Sequence, residues 1–215
     1  MNDDATTLAA RLESSLAHVQ SAAGPAAFGA WRATMALLMR GEPVCLESIA
    51  ESLGLAPQRV QETLRGFPDV EYGDDGRIVG LGLTLRPTRH RFEVDGRALF
   101  TWCALDTLMF PAILGIAARV ESTCFVTGEP IRLEVDASGP REVAPSSTVV
   151  SLVVASDASS VRTSFCNEVH FFATRRVAGR WLEGHPEASL VSVDEAYRVG
   201  LALAQSRFGG AGRCC

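Results

Sequence analysis

The sequence predicts an α+β fold, a winged-helix-like helical unit with a β-hairpin followed by a mixed or antiparallel β-sheet unit with flanking helices. Three patterns carry this reading. Two short helical patterns meet at a glycine between residues 46 and 64, an alternating hairpin lies between 70 and 85, and β-branched runs then interleave with a few apolar helical stripes. The divisions expected are a polar, partly helical arm over 1–24, the winged-helix-like unit over 25–95, the second unit over 96–208 and a flexible tail over 209–215. At 215 residues, with 47% hydrophobic and 21% charged residues, the chain can build real cores.

Each element has a local reason. Phe28, Trp31, Met35 and Leu38 recur at helical spacing, and Gly41-Glu-Pro43 stops that helix. Leu46 to Gly54 reads as a short helix ending at glycine, and Ala56 to Leu64 as another with Pro57 in its first turn. Val70-Glu-Tyr72, the turn Asp74-Asp-Gly76 and the alternating run Ile78 to Leu85 make the hairpin. Phe92-Glu-Val94 ends in the turn Asp95-Gly96. Leu105, Leu108, Met109, Ala112, Ile113 and Ile116 form a helical stripe interrupted by Pro111. Strands are expected over 119–126, 131–135 and 148–155, a strand-like run over 165–173 and a stub at Leu190-Val191. Ser192-Val-Asp-Glu195 is a capping box opening a helix to about Phe208.

Charge and cysteine usage exclude several classes. Net charge is −5, and all 20 cationic side chains are arginines. Residues 1–95 hold nine Arg against thirteen Asp plus Glu, so the helix-turn-helix pattern lacks the basic surface that nucleic-acid binding requires. A structural role for that unit is the better reading, and no nucleic-acid partner is expected. No run approaches the length of a membrane span, and the acidic start lacks the apolar core of a secretory signal, so no membrane partner and a cytoplasmic location are expected. In that reducing compartment the six cysteines, at 45, 103, 124, 166, 214 and 215, read as free thiols or metal ligands. No CxxC motif is present, which argues against a zinc knuckle or a thioredoxin-type site.

Two of these cysteines sit in chemically suggestive surroundings. In Trp102-Cys-Ala-Leu-Asp106 the helical spacing puts Cys103 and Asp106 on one face beside the apolar stripe. Burial and proximity disfavour ionisation of either group, so the two could share a proton. On the residues alone, an inert core thiol beside a solvated or capping carboxylate is the better-supported reading. Cys166 and His170 have a spacing that would suit a metal on a helix. Val169, Phe171 and Phe172 favour a strand, where four residues span about 13 Å and one ion cannot reach both. His170 is therefore read as a packed or hydrogen-bonded histidine, and Cys166 alone could be a buried small hydrophobe. Cys124 alternates with Val120, Ser122 and Val126 on an inward face and reads as structural. Cys45 has no visible partner. Cys214-Cys215 follow a glycine-rich tether and could capture a soft ion or be an unselected tail.

Two longer segments, Arg97-Ala-Leu-Phe-Thr-Trp-Cys-Ala-Leu-Asp-Thr-Leu-Met-Phe-Pro111 and Val161-Arg-Thr-Ser-Phe-Cys-Asn-Glu-Val-His-Phe-Phe172, resemble the signature segments of the alkylmercury (organomercurial) lyase family. Gly80-Leu-Gly-Leu-Thr-Leu85 and Cys124-Phe-Val-Thr-Gly-Glu-Pro130 are also similar to family segments, and the likeness runs from about Trp31 to Phe208. The resemblance implies a winged-helix-like domain without regulatory duty and an α+β catalytic domain over 96–208. It implies that Cys103, Asp106 and Cys166 are the catalytic trio and hold mercury as substrate and product, and that Cys124 is structural. Some relatives carry a second cysteine after the one matching Cys166; here the position is Asn167. The reaction implied is protonolysis of a carbon–mercury bond to a hydrocarbon and Hg(II), in mercury detoxification. Its expected partners are the organomercurial, low-molecular-weight thiols needed for turnover, and mercuric reductase as acceptor of Hg(II). No organic cofactor or resident metal is expected. The alternative is a non-catalytic cytosolic thiol protein that sequesters or senses mercury or another soft metal.

Overall fold

The computed structural model describes residues 5–17, 25–67, 69–154 and 160–208. The helices are α1 (Ala5–Ala17), α2 (Pro25–Leu38), α3 (Leu46–Leu53), α4 (Pro57–Leu64), α5 (Ala104–Leu114), α6 (Val161–Ser164), α7 (Arg175–Glu183) and α8 (Val193–Phe208). The strands are β1 (Glu71–Tyr72), β2 (Ile78–Leu81), β3 (Leu83–Thr84), β4 (His90–Val94), β5 (Arg97–Thr101), β6 (Ala118–Thr123), β7 (Pro130–Asp136), β8 (Gly139–Ala144), β9 (Val149–Leu152), β10 (Phe171–Phe172) and β11 (Ser189–Ser192). Eight strands form one sheet in the order β1-β2-β3-β5-β4-β6-β7-β8, and three more form a small sheet β10-β9-β11. Every pairing is antiparallel. Helices with antiparallel sheets are the α+β class expected. Among the described residues no helix is long and apolar enough to cross a membrane.

The N-terminal helices follow their sequence signals. Gly54 closes α3 in the left-handed conformation (φ 63°), where it donates back to the last turn, and α4 starts on Pro57. Ile49, Ala50, Val60 and Leu64 bury the faces of this helix pair. The 1–24 arm is more than polar: in α1, Leu8, Ala9 and Leu12 enter the core, and the helix packs on α8.

The expected single strand from Ile78 to Leu85 is instead two. The chain reverses at Gly82 (φ 92°), so Leu81 faces Leu83 and Gly80 faces Thr84. A β-carbon on Gly82 would stand 2.9 Å from the Phe110 ring, so only glycine permits this approach to α5. The alternation of apolar residues continues on both sides of the reversal, which is why it reads as one strand.

The turn Asp95-Gly96 joins β4 to β5, as its residues suggest, and the large sheet runs unbroken across the expected 95/96 division. The strand expected over 119–126 stops at Thr123, because residues 124–128 turn and Gly128 donates to the Cys124 carbonyl. Val126 is consequently exposed, while Val120, Ser122 and Cys124 are buried. Strand β9, the centre of the small sheet, is buried along its length. Helix α7 and strand β8 were not expected. The Ser192 capping box is present in both directions: Ser192 N donates to Glu195 Oε2 at 2.8 Å, and Glu195 N donates to Ser192 Oγ at 3.2 Å.

Candidate active site

Strand β5 delivers Cys103 to the start of α5. The sulfur is not on the helix face, as the spacing suggested. Cys103 is the N-cap, with extended backbone angles (φ −143°, ψ 171°), and Asp106 is the third residue of the helix. The Asp106 carboxylate accepts the Cys103 N–H at 3.2 Å, and the Asp106 N–H turns to the Cys103 sulfur, a reciprocal cap. This arrangement holds thiol and carboxyl together more tightly than a shared face would, and it aims the sulfur at the electropositive end of α5.

The second thiol arrives on a short helical turn rather than a strand. Cys166 opens a 3₁₀ turn, Cys166–Glu168, between α6 and β10. Val169, Phe171 and Phe172 suggested a strand throughout, but pairing begins only at Phe171. The turn is tied to α5 directly: the N–H of Ala104 donates to the carbonyl of Val169 at 3.1 Å. One of the free N–H groups at the head of α5 is thereby satisfied by the segment that carries Cys166.

Cys103, Asp106 and Cys166 converge. Their donor atoms all lie within 4.8 Å of one another, and among the described residues they are the one group of three Cys, His, Asp or Glu side chains able to hold a single ion. Cys103 is 0% exposed, Cys166 3% and Asp106 8%, so all three residues are buried. Burial shapes their ionisation. It pushes the Cys103 thiol well above its usual range, helped by its hydrogen bond to Cys166 and the charge of Asp106. That same hydrogen bond lowers Cys166, but burial and the carboxylates of Asp106 and Asp69 outweigh it, and the net direction is upward. Burial raises Asp106 to about 7, against the pull of hydrogen bonds from Cys103 and Trp102. The site therefore stores protons on two thiols beside a carboxyl poised near neutrality.

Two acids that the sequence reading did not single out stand behind the trio. Buried Glu71 on β1 accepts from Trp102 Nε1 at 3.1 Å and from Thr84 Oγ1 at 2.5 Å, and it pairs with Arg162. Arg162 also lies over the Trp102 ring, 5.1 Å from its centroid. Asp69 accepts from Ser160 Oγ at 2.5 Å, Val161 N at 2.9 Å and Arg162 N at 3.3 Å. Only long-range packing creates these contacts, so no local pattern announces them.

The remaining candidates lie elsewhere. His170 is buried, stacked on Phe125 with ring centroids 3.8 Å apart and flanked by Phe172 and Trp181. Burial holds it down to about 4, hence neutral, and its Nε2 has no hydrogen-bond partner among the described residues. It shares no ligand set with Cys166, as the sequence reading concluded. Cys124 is a free thiol in the turn after β6. Burial opposes its ionisation, but hydrogen bonds from Thr127, Val126 and Ala173 prevail and lower it, which fits a thiol whose bonds go into the turn. Half-buried Cys45 contacts Ser48 Oγ at 3.1 Å. Cys214 and Cys215, with the expected 209–215 tail, lie outside the described residues.

A helical N-terminal unit joined through one antiparallel sheet to two buried thiols and a buried carboxyl defines a thiol protein whose donor set suits a soft metal ion. Comparison with known proteins is specific. Residues 83–205 match the family model described as alkylmercury lyase, and residues 7–82 match the helix-turn-helix domain of alkylmercury lyase. An alkylmercury lyase of Streptomyces lividans is 49% identical over 180 residues, covering 84% of each chain. That of Bacillus cereus is 48% identical over 170 residues, covering 79% of this chain and 78% of the other. The crystal structure of the mercury-bound form of MerB2 superposes with a TM-score of 0.73 at 25% identity, covering 92% of this chain and 99% of that one. The chain belongs to the alkylmercury lyase family.

Proposed function

We propose that the chain is an organomercurial lyase that cleaves carbon–mercury bonds by protonolysis through Cys103, Cys166 and Asp106, giving a hydrocarbon and Hg(II). The observation that carries this is the convergence of two buried thiols and one buried carboxyl within 4.8 Å. Carbon bound to Hg(II) is a poor base, so the bond survives in water. Hg(II) is soft and prefers sulfur to oxygen or nitrogen. One cysteine thiol displaces the exchangeable ligand of the organomercurial, forming the S–Hg bond while the departing ligand carries away the thiol's proton. The second thiol gives its proton to the Asp106 carboxylate, and its sulfur then adds to mercury and pushes electron density toward carbon. Asp106 delivers the proton to carbon as the carbon–mercury bond breaks, and the bonding pair becomes the new C–H bond. Hg(II) remains on the two sulfurs until an exogenous thiol or mercuric reductase removes it. No organic cofactor or resident metal enters these steps.

The same reading places the protein in the cytoplasm, in mercury detoxification, and takes residues 96–208 as the catalytic domain. Residues 25–95 are read as winged-helix-like, supported by the α3–α4 pair and the β1–β2 hairpin. The net charge of −4 over residues 1–95 (nine Arg, thirteen Asp plus Glu) argues against a DNA-binding duty for this unit.

Asp106 must be ionised to take the thiol proton, so activity is present above its pKa of about 7 and lost as pH falls through it. The expected result is a tenfold fall in kcat/KM for each pH unit below that value, measured on phenylmercury with constant excess thiol. A profile flat down to about pH 5 would remove Asp106 as the proton carrier. Deleting Cys214 and Cys215 should spare single-turnover cleavage. Loss of the chemical step in that variant would make the tail part of the site.

The deciding experiment is gas chromatography of the headspace over the protein, phenylmercury and excess thiol. A lyase releases benzene through repeated turnovers; a sequestering protein binds the mercurial and releases none.

A further inference from the structure

Besides the sheet pairing of β3 and β4 with β5, two acidic side chains of the N-terminal half, Asp69 and Glu71, reach the two cysteine segments through four hydrogen bonds and one ion pair. Asp69 gathers the head of α6: the Ser160 hydroxyl on one oxygen, and the N–H groups of Val161 and Arg162 on the other. Ser160 in turn caps α6 by accepting from Thr163 N at 3.0 Å. Glu71 takes the neighbouring residue on each side of the pocket: Trp102, which immediately precedes Cys103, and Arg162, four residues before Cys166. Helix α6 has only four residues and none is fully buried, with Val161 half-buried against the core, so its own packing holds it weakly.

We propose that Asp69 and Glu71 are positioning residues for the thiol pair, a clamp from the helix-turn-helix unit that holds the Cys166 segment against the Cys103 segment so that both sulfurs can reach one atom. The proposal rests on the lyase reading for its consequence in catalysis, but not for the sulfur spacing itself. Neither acid belongs to the ion-binding trio. They act through hydrogen bonds to backbone N–H, hydroxyl, indole and guanidinium groups, whose geometry an amide oxygen can largely reproduce.

The test uses the full chain and two readouts. Phenylarsine oxide condenses with two thiols, forming two As–S bonds and releasing water, so one equivalent is retained against a competing monothiol only when both sulfurs are correctly spaced. Headspace benzene from phenylmercury gives kcat and KM. Asp69→Ala is expected to lose arsenical retention and to lower kcat about 10²-fold, as a misplacement of about 1 Å does, with KM and melting temperature little changed. Asp69→Asn should recover most of both losses, because its oxygen can accept the two N–H groups and its amide can donate to the Ser160 hydroxyl. Glu71→Ala and Glu71→Gln should behave as a parallel pair.

Should Asp69→Ala fail to fold, Ser160→Ala carries the test. It removes one clamp bond and the α6 cap, and reduced arsenical retention in a folded protein is its expected result. Wild-type retention and kcat in folded Asp69→Ala or Ser160→Ala would overturn the clamp. Arsenical losses in the variants, with no benzene from the wild type, would instead sink the lyase reading and leave the clamp standing.

Discussion

Asp106→Asn is expected to slow hydrocarbon release by about 10²–10⁴-fold, the usual worth of a positioned acid–base group, while making the protein more stable at pH 8. The two effects have one cause. Burial holds the Asp106 carboxyl at about 7, against 3.8 for the free group. Between those values the folded protein keeps a proton that the unfolded chain releases. Stability therefore falls as pH rises through this window and is lowest above 7. Three pKa units correspond to about 4 kcal/mol, which the folded enzyme forgoes at pH 8 in order to keep a carboxylate out of water. Asparagine removes the charge yet retains an oxygen for the Cys103 N–H, so the helix cap survives. At about 2–4 °C per kcal/mol for a chain of this size, melting should rise on the order of 10 °C at pH 8. The gain should shrink as pH is lowered toward 4. Benzene release at the wild-type rate, or identical melting temperatures at pH 8, would contradict the role given to this side chain.

Cys166→Ser should abolish release of benzene from phenylmercury and leave the fold intact. The substitution is nearly isosteric at a site 3% exposed, so packing is kept. A hydroxyl is a hard donor that mercury passes over in favour of sulfur. Cys103 remains, so the variant should still retain one equivalent of arylmercury through gel filtration, with the carbon–mercury bond unbroken. Capture without cleavage would separate the work of the two sulfurs: one anchors, the second drives electron density into the bond. Wild-type turnover in this variant would exclude Cys166 from the chemistry.

Much of the scaffold could be read from local patterns because local forces decide it. The glycine and proline signals of α3 and α4, the Asp95-Gly96 turn and the Ser192 capping box depend on neighbours a few residues away, and all appear as expected. The misreadings have a common origin in contacts between distant residues. Gly82 reverses the chain where the Phe110 ring leaves no room for a side chain, although the flanking alternation is that of one strand. Cys166 lies on a turn whose lead-in helix is held by Asp69, more than ninety residues away in sequence, against the strand preference of Val169 and the following phenylalanines. For α7 the apolar face is thin; Ala178 and Trp181 are its buried residues. The trio is legible through family resemblance, since the residues alone leave Cys103 open as an inert core thiol. Its geometry adds that Cys103 and Asp106 meet as a reciprocal helix cap, a pairing that helical spacing alone does not describe.

The two matched family segments meet between residues 82 and 83, inside the tight reversal from β2 to β3. The border thus crosses a hydrogen-bonded sheet rather than a linker. Severing the chain there would leave each fragment with a bare strand edge, and the larger would lose the acids that steady its thiols. The helical portion is therefore fastened to the thiol-bearing segments by strand pairing and by the bonds of Asp69 and Glu71.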